Sequence, residues 1–219
     1  MDNILLPLLN CKLFEHIKED HIPAMLKCLN AKTHSYRKEE FIFREGQTAQ
    51  YIGVILSGSV QIIKEDFYGN RNILTRLMQS ETFGESFACA HTLSIPVNVV
   101  ASEDCTILFL DCLRIINTCA NTCSFHKQII YNLLRDIATK NISFQQKIEI
   151  TSKRTTREKI MAYLNVQSKL HHSNSFSIPY NRQELADYLE VERSAMSAEI
   201  SKLKKDGIIK CTKSNFTIL

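Results

Sequence analysis

A group of small and hydroxyl-bearing side chains surrounds one arginine near the carboxyl end of the chain. If this segment forms a helix, Arg193, Ser194 and Ser197 lie on one face, opposite an apolar stripe. The arginine fork fits the paired acceptors of guanine, whereas serine hydroxyls form weaker and less selective hydrogen bonds. Short neighbours let a helix backbone approach base edges in the DNA major groove. The spacing therefore predicts readout of DNA bases.

Two helical patterns position these side chains, at residues 182–189 and 193–205. Each pattern has a single apolar stripe, a three-residue turn separates them, and Gly207 ends the second. This layout predicts a helix-turn-helix. Strand-like segments at 177–179 and 208–219, with a hairpin turn at 213–215, would complete a winged helix whose Lys210 and Lys213 meet phosphate.

The residues expected to face DNA are cations, hydrogen-bonding groups and small side chains. They are Asn181, Arg182, Gln183, Arg193, Ser194, Ala195, Ser197, Ala198, Lys202 and Lys213. The formal net charge is +4, and from residue 152 onward the chain holds 12 basic and 7 acidic residues. The positive excess therefore lies in the segment that carries the helix-turn-helix, which favours double-stranded DNA as a partner.

Short β-branched runs fill the first half of the chain, at 41–47, 51–65, 72–78, 83–86, 97–101 and 105–111. Glycines at 46, 58, 69 and 84 punctuate them. Many short strands at regular spacing predict an antiparallel jelly roll or barrel. Helical patterns at 5–14 and 21–29 precede this region and are expected to pack as a cap.

From about residue 113 the apolar period becomes helical, and a heptad seam follows. Its members are Ile130, Leu134, Ile137, Asn141, Phe144 and Ile148. Such a seam favours a partner helix, and Asn141 stands where a buried amide pairs with its own copy in a two-stranded coil. A neighbouring face with Ile129, Leu133 and Ile142 would pack on the β-roll of the same chain. We therefore expect one face to dock on the roll and the other to form a homodimer.

The compartment follows from targeting signals and cysteines. The chain begins MDNILLPLLN, without a basic segment or a long apolar run, and no stretch approaches the length of a membrane span. Its eight cysteines are scattered without a CxxC pair. These features predict a cytoplasmic protein with no membrane partner and no disulfide framework.

The order of these parts resembles the Crp/Fnr family of bacterial transcription regulators. The resemblance lies in FREGQ at 43–47, IGVILSGSVQI at 52–62, GN at 69–70, FGE at 83–85, KRTTREKIMAYL at 153–164 and the segment 181–209. It implies an α+β fold: N-terminal helices and an effector-binding β-roll over 1–112, a dimerisation helix over 113–151, and a winged helix-turn-helix over 152–219. It also implies a non-enzymatic homodimer that binds a palindromic DNA site, contacts RNA polymerase and responds to a small-molecule effector.

The effector pocket that the resemblance implies lies between the roll and the long helix. Its residues are Gly84, Glu85, Ser86, Phe87, Ile95, Pro96, Val97, Asn98, Ile142 and Ser143. Cyclic-AMP-binding members hold the phosphate with an arginine and a small hydroxyl residue, and Ile95 and Pro96 stand in those places. Neither side chain can donate a hydrogen bond, and an unpaired buried phosphate is costly. We therefore expect a less charged effector than cyclic AMP, or none, and no cofactor needed for folding.

The DNA-reading positions also depart from the family pattern. The family commonly offers an arginine, a glutamate and a second arginine, where this chain has Arg193, Ser194 and Ala198. The preferred operator should therefore differ, with more weight on phosphate contacts and DNA shape. Glu190 occupies the turn position where the family has glycine, which predicts mild backbone strain.

Metal and redox sensing are alternative effector hypotheses. Oxygen-sensing members bind an iron–sulfur cluster with closely spaced N-terminal cysteines, whereas this chain has Cys11 and Cys28 there. Cys119, Cys123 and His126 share one helical face and could bind a metal, although buried cysteines on apolar faces are commoner. We therefore assign no metal ligand.

Three further hypotheses remain. Cys89 and His91 are similar in placement to haem ligands of a carbon monoxide sensor in the family, which keeps haem open. A jelly-roll metalloenzyme would need clustered histidines, but the roll contains only His34 and His91, far apart in sequence. The chain could also be a regulator without any effector, controlled by its abundance.

Overall fold

A computed structural model describes residues 2–90, 94–117 and 124–219 of the 219-residue chain. The chain forms two compact units, one made of residues 1–64 and 75–141 and the other of residues 65–74 and 142–219. The long helix predicted from the heptad seam, Ser124–Thr151 (α5), contributes to both units. The division of the chain at 112 and 151 stays a prediction.

In the ranges that the structure describes, eight antiparallel strands build the β-roll. They are Lys32–Tyr36 (β1), Phe41–Phe43 (β2), Tyr51–Ser57 (β3), Val60–Glu65 (β4), Arg71–Leu77 (β5), Thr82–Phe83 (β6), Asn98–Ala101 (β7) and Cys105–Asp111 (β8). They form two four-stranded sheets in the orders β1-β8-β3-β6 and β2-β7-β4-β5. Side chains of both sheets, including Ile55, Val60, Ile107 and Phe109, share one core. The predicted antiparallel jelly roll is confirmed.

Two local expectations for the first unit were wrong. The segment predicted as one helix over 5–14 divides into Asp2–Leu9 (α1) and a separate 3-10 turn at Lys12–Phe14. The predicted strand at 83–86 ends at Phe83, because Gly84 takes a positive φ of 83° and begins a short helix, Glu85–Cys89 (α3). A Cβ at Gly84 would lie 3.0 Å from the Tyr51 carbonyl oxygen, so the position also has little room for a side chain.

The remaining helices of the first unit are Ile22–Cys28 (α2) and Cys112–Ile116 (α4). They pack with β3 and β8 around a second core that includes Leu29, Ile52 and Leu110. From α5, Ile129 and Leu133 are buried in the same cluster, as predicted. Ile142, predicted for the same docking face, is 57% exposed, so that part of the prediction was wrong. The docking face ends before the point where α5 enters the second unit.

The second unit is a winged helix. Its helices are Thr156–His171 (α6), Arg182–Leu189 (α7) and Arg193–Lys205 (α8), and its strands are Ser175–Ser177 (β9), Ile209–Thr212 (β10) and Asn215–Ile218 (β11). The strands form one antiparallel sheet in the order β10-β11-β9. Both helix-turn-helix segments have the predicted bounds. Within the described ranges, no helix combines the length and apolar character needed to cross a bilayer.

Candidate DNA-binding surface and candidate effector site

The first helix of the helix-turn-helix begins at a reciprocal cap. The Asn181 side chain accepts a hydrogen bond from the Glu184 backbone N–H at 3.0 Å, and the Glu184 carboxylate accepts one from the Asn181 N–H at 2.8 Å. Such a capping box satisfies two N–H groups that have no partner inside the helix. The amide oxygen of Asn181 is therefore used to begin α7.

The turn between the two helices passes through Glu190, whose φ is +55°. This left-handed conformation is unfavourable for a residue with a Cβ, as the sequence predicted. Two lysines hold the turn: Lys147 donates to the Tyr188 carbonyl, and Lys159 Nζ lies 3.3 Å from the carbonyl oxygens of Leu189 and Glu190. Cations at a helix carboxyl end complement its dipole. These contacts stabilise α7 and so fix where α8 begins.

The second helix buries one face and exposes the other. Met196, Ile200 and Leu203 are buried in the second unit. In the amino-terminal half of α8, the exposed residues are one arginine, two serines and two alanines. These residues are Arg193, Ser194, Ala195, Ser197 and Ala198. Apart from the arginine, none has a side chain long enough to keep the helix backbone away from a groove floor.

Ion pairs fix the orientation of α8 on the domain. The Arg157 guanidinium of α6 lies 3.2 Å from the Glu199 carboxylate and 2.9 Å from the Asp206 carboxylate, at the middle and end of α8. The Lys202 ammonium is 3.4 Å from Glu199 and its side chain is 69% exposed, so it remains accessible to an external phosphate. The role of Arg157 was not predictable from the sequence, because no local pattern links residues 42 positions apart.

Arg182, one of the residues predicted to face DNA, packs against the wing strands. Arg182 directs its Nη2 to Cys211 Sγ at 3.3 Å, and its guanidinium lies 5.1 Å from the centre of the Phe216 ring. Gln183 donates to the Asp187 carboxylate at 2.7 Å within α7. Lys213 is exposed at the tip of the hairpin with a φ of +52°. The Lys213 side chain is thus exposed to solvent, whereas the Arg182 side chain packs against the wing.

The candidate effector site centres on a buried ionic cluster that sequence reasoning did not find. Glu85, the first residue of α3, is 4% exposed and lies 3.0 Å from the Lys140 ammonium of α5. Lys140 also lies 3.0 Å from the buried Asp136 carboxylate and donates to the Thr82 carbonyl at 2.8 Å. Glu85 Oε2 is buried and has no hydrogen-bond partner among the described residues. The three ionised groups carry a net charge of −1.

The predicted cassette residues contact a neighbouring turn. The Ile95 backbone exchanges two 2.8 Å hydrogen bonds with Gly46 and Gln47. The Pro96 carbonyl accepts from Lys64 at 2.9 Å, and the Asn98 side-chain oxygen accepts from the backbone of residue 45 at 2.9 Å. The polar groups of this segment therefore stabilise the turn at residues 44–47.

The other predicted pocket residues differ in exposure. Val97 and Ile95 are buried, Phe87 is partly buried, and Ser86 and Pro96 are exposed. Ile142 and Ser143 are both exposed on α5. Within the first unit, the structure thus brings Gly84 and Glu85 together with Asp136 and Lys140 of α5. Their assignment to an effector pocket stays a prediction.

Among the residues that the structure describes, no three histidine, cysteine or acidic side chains cluster as metal ligands. His126 is buried, with its Nε2 3.3 Å from the Arg114 carbonyl oxygen. Burial raises the pKa of the Cys11 thiol to about 11, which disfavours the thiolate that binds a cluster. His91, Cys119 and Cys123 lie outside the described residues.

The predicted dimer seam is largely exposed. Leu134 and Ile148 are 66% and 65% exposed, Phe144 is 40% exposed, and Asn141 is also at the surface. Ile130 and Ile137 are partly buried against the core of the first unit. The seam is thus a continuous stripe along α5 whose members from Leu134 onward are mostly uncovered within one chain.

Comparisons with known proteins agree with this architecture. The model of the cyclic nucleotide-binding domain matches residues 33–121, and that of the Crp-like helix-turn-helix domain matches residues 155–219. The chain belongs to the Crp/Fnr family and is a DNA-binding transcription regulator of that type.

Individual relatives are distant in sequence. The transcriptional activator protein FnrA of Stutzerimonas stutzeri is 23% identical over 188 residues, which are 84% of this chain and 75% of FnrA. The c-di-GMP-responsive regulator CLP of Xanthomonas campestris superposes with a TM-score of 0.74 at 18% identity, over 92% of this chain and 99% of CLP. FixK2 of Bradyrhizobium japonicum gives a TM-score of 0.67 at 19% identity, over 86% and 92% of the two chains. These structural similarities describe the fold.

Proposed function

We propose that the protein acts as a cytoplasmic homodimer that binds a palindromic operator and contacts RNA polymerase, without enzymatic activity of its own. The exposed amino-terminal half of α8, with one arginine among serines and alanines, is the observation that carries this proposal. Two such helices in a dimer would enter successive major grooves about one DNA turn apart.

Arg193 is the proposed base-reading residue. It is the first residue of α8 and is exposed. The amino-terminal residues of a recognition helix are those that reach base edges, and a bidentate arginine–guanine contact contributes about 1–3 kcal/mol of discrimination. Ser194 and Ser197 would add less selective contacts, while Lys202, Lys213 and the amide of Asn181 would bind phosphate.

The effector, if one binds, is proposed not to be cyclic AMP. A cyclic phosphate is an anion, and the ammonium that contacts Glu85 is already shared with Asp136, so the cluster has a net charge of −1. A neutral or cationic molecule with a hydroxyl or amine donor suits Glu85 Oε2 better. Calorimetric titration with cyclic AMP should show no binding, and saturable heat at micromolar ligand would contradict this part.

DNA reading is tested with Arg193→Ala. A preferred duplex is first selected from a random library with the wild-type protein. By fluorescence anisotropy, the variant should lose about 1–3 kcal/mol of affinity for this duplex and should tolerate substitution of one base pair per half-site.

The matched control for this experiment is Arg37→Ala, which removes an exposed arginine from the β1–β2 connection. It changes net charge equally and should leave operator affinity within about twofold of wild type. Equal loss by Arg193→Ala on the operator and on random DNA would show that Arg193 does not read bases.

Dimerisation is tested by placing charges on the exposed seam. In the double variant Leu134→Glu and Ile148→Glu, four like charges would face one another across a two-stranded interface. Light scattering should give the monomer mass of 25.1 kDa for this variant and twice that value for wild type.

The control is Leu170→Glu on α6, because Leu170 is 62% exposed and lies outside the seam. This variant should remain dimeric. A persistent dimer in the seam variant, with unchanged circular dichroism, would place the interface elsewhere.

A further inference from the structure

Two cysteines from separate helices lie side by side in the first unit. Cys89 ends α3 and Cys112 begins α4, and their sulfur atoms are 3.5 Å apart. A disulfide has a sulfur–sulfur distance of about 2.05 Å, so closing the bond requires a movement of about 1.5 Å. Ser86 within α3 and Ala90 directly after it are exposed, so one side of this helix lies at the surface, where a small movement meets little resistance.

The two thiols differ in access and acidity. Cys89 is partly exposed, whereas Cys112 is 1% exposed and belongs to the core. The hydrogen bond from Cys112 lowers the pKa of Cys89, while the hydrogen bond to Cys89 and burial raise the pKa of Cys112. The accessible thiol is thus the better nucleophile, and the buried thiol lies in position to react with it.

Two buried thiols, Cys11 and Cys105, provide a contrast. Burial raises the pKa of Cys105 to about 11, as it does for Cys11. Both are buried, so neither combines access with a lowered pKa. In redox-active pairs, one thiol is accessible to solvent and has a lowered pKa, and a second thiol lies close to it.

We propose that Cys89 and Cys112 form a redox-active dithiol that closes to an intramolecular disulfide on reaction with a hydroperoxide. This assignment does not depend on the DNA-binding function proposed above. It uses two thiols of the protein and one oxidant, and no metal.

The reaction proceeds in two steps. The Cys89 thiolate attacks the terminal oxygen of hydrogen peroxide, the O–O bond breaks, and Cys89 becomes a sulfenic acid as hydroxide leaves and is protonated to water. The Cys112 sulfur then attacks Cys89 sulfur, the S–O bond breaks, and a second water leaves with the Cys112 proton. Two thiols are oxidised by two electrons, and the peroxide is reduced to two waters. A dithiol reductant reverses the bond by exchange.

The disulfide would act on the helix that carries Glu85. Cys89 is the last residue of α3 and Glu85 is the first, so a bond to Cys112 fixes one end of the helix whose other end contacts Lys140. Oxidation would therefore restrict opening of α3 and change the surroundings of the buried ionic cluster. Hydrogen exchange of the amides of residues 86–90 should be slower in the oxidised protein, and unchanged exchange would refute this consequence.

Peptide mapping tests the bond itself. The full-length protein is treated with equimolar hydrogen peroxide, and remaining thiols are blocked with N-ethylmaleimide. Trypsin with Asp-N protease separates the two cysteines, because residues 77–103 contain Cys89 and residues 111–114 contain Cys112, while Cys105 falls in residues 104–110. These two peptides should appear joined, at about 2 Da below their summed thiol masses, and should separate after treatment with dithiothreitol.

Variants control the assignment. Cys89→Ser should abolish the cross-link, and this partly exposed position can accept serine without loss of the fold, which circular dichroism checks. Cys105→Ala is the matched control, seven residues before Cys112, and should leave the cross-link unchanged. Cross-links from Cys89 to another cysteine, or sulfinic acid at Cys89 without any cross-link, would overturn the proposal.

Discussion

Lys140 and Lys147 lie seven residues apart on α5, one in each unit, and both ammonium groups lie away from bulk solvent. The Lys140 side chain is 19% exposed, and its partners are two carboxylates at 3.0 Å. The Lys147 side chain is 8% exposed, and it donates to backbone carbonyls while its ammonium lies 3.8 Å from the centre of the Tyr188 ring. Its nearest carboxylate oxygen, on Glu190, is 3.9 Å away.

The surroundings of Lys140 and Lys147 differ in how well they compensate a positive charge. Around Lys140 the carboxylates of Asp136 and Glu85 carry two negative charges, so the ammonium is required to offset them. Around Lys147 the partners are neutral dipoles and an aromatic face. Burial there lowers the pKa of Lys147 to about 8, and the Glu190 carboxylate opposes this shift only in part. The same residue type thus compensates charge in one unit and bears a desolvation cost that is only partly compensated in the other.

Lys140→Met should have the largest effect on stability. The variant leaves two buried carboxylates without a cation, and removing one partner of a buried ion pair typically costs 3 kcal/mol or more. We expect a loss of about 3 kcal/mol in the free energy of unfolding of the first unit at pH 7, measured by urea denaturation.

Glu85→Gln supplies the control for this comparison, because it leaves one lysine with one carboxylate, Asp136. It should cost about 1 kcal/mol or less. If Lys140→Met lowered the free energy of unfolding no more than Glu85→Gln does, Lys140 would not be offsetting both carboxylates.

Lys147→Met should flatten the dependence of stability on pH at alkaline pH. The pKa of Lys147 is about 8 in the folded protein and 10.5 in the unfolded chain. Between these values the unfolded state binds more protons, so the free energy of unfolding of wild type should rise with pH. From pH 8 to pH 10, the free energy of unfolding of wild type should rise by about 2 kcal/mol relative to that of the variant. Urea denaturation across this range measures it.

Lys38→Met is the matched control, since Lys38 is exposed. Its stability profile should run parallel to that of wild type over the same pH range. Parallel profiles for wild type and Lys147→Met would show that the ammonium is not desolvated, and the difference between the two lysines would disappear.

Much of the second unit was determined by local sequence. The apolar stripes and Gly207 predicted the bounds of the two helices of the helix-turn-helix, and the hairpin turn predicted the wing. Helix periodicity, capping and turn chemistry act between residues a few positions apart, so the sequence displays them directly. Strand β1 was not predicted, because its sequence shows no alternation of apolar and polar side chains. In the structure most of its residues are exposed.

The exposed arginine of α8 was likewise predictable, since it depends on one helical face. The partners of Lys140, Lys147, Arg157 and Cys89 were not. Lys140 contacts a carboxylate 55 positions earlier in the chain, and Cys89 lies beside a thiol 23 positions later. Folding brings such groups together through the packing of separate helices and strands, and no periodic pattern records that proximity. The sequence by itself determined the two helices of the helix-turn-helix and the face that carries Arg193, and the tertiary structure decided which buried charges and thiols meet each other, because those contacts depend on how distant segments pack.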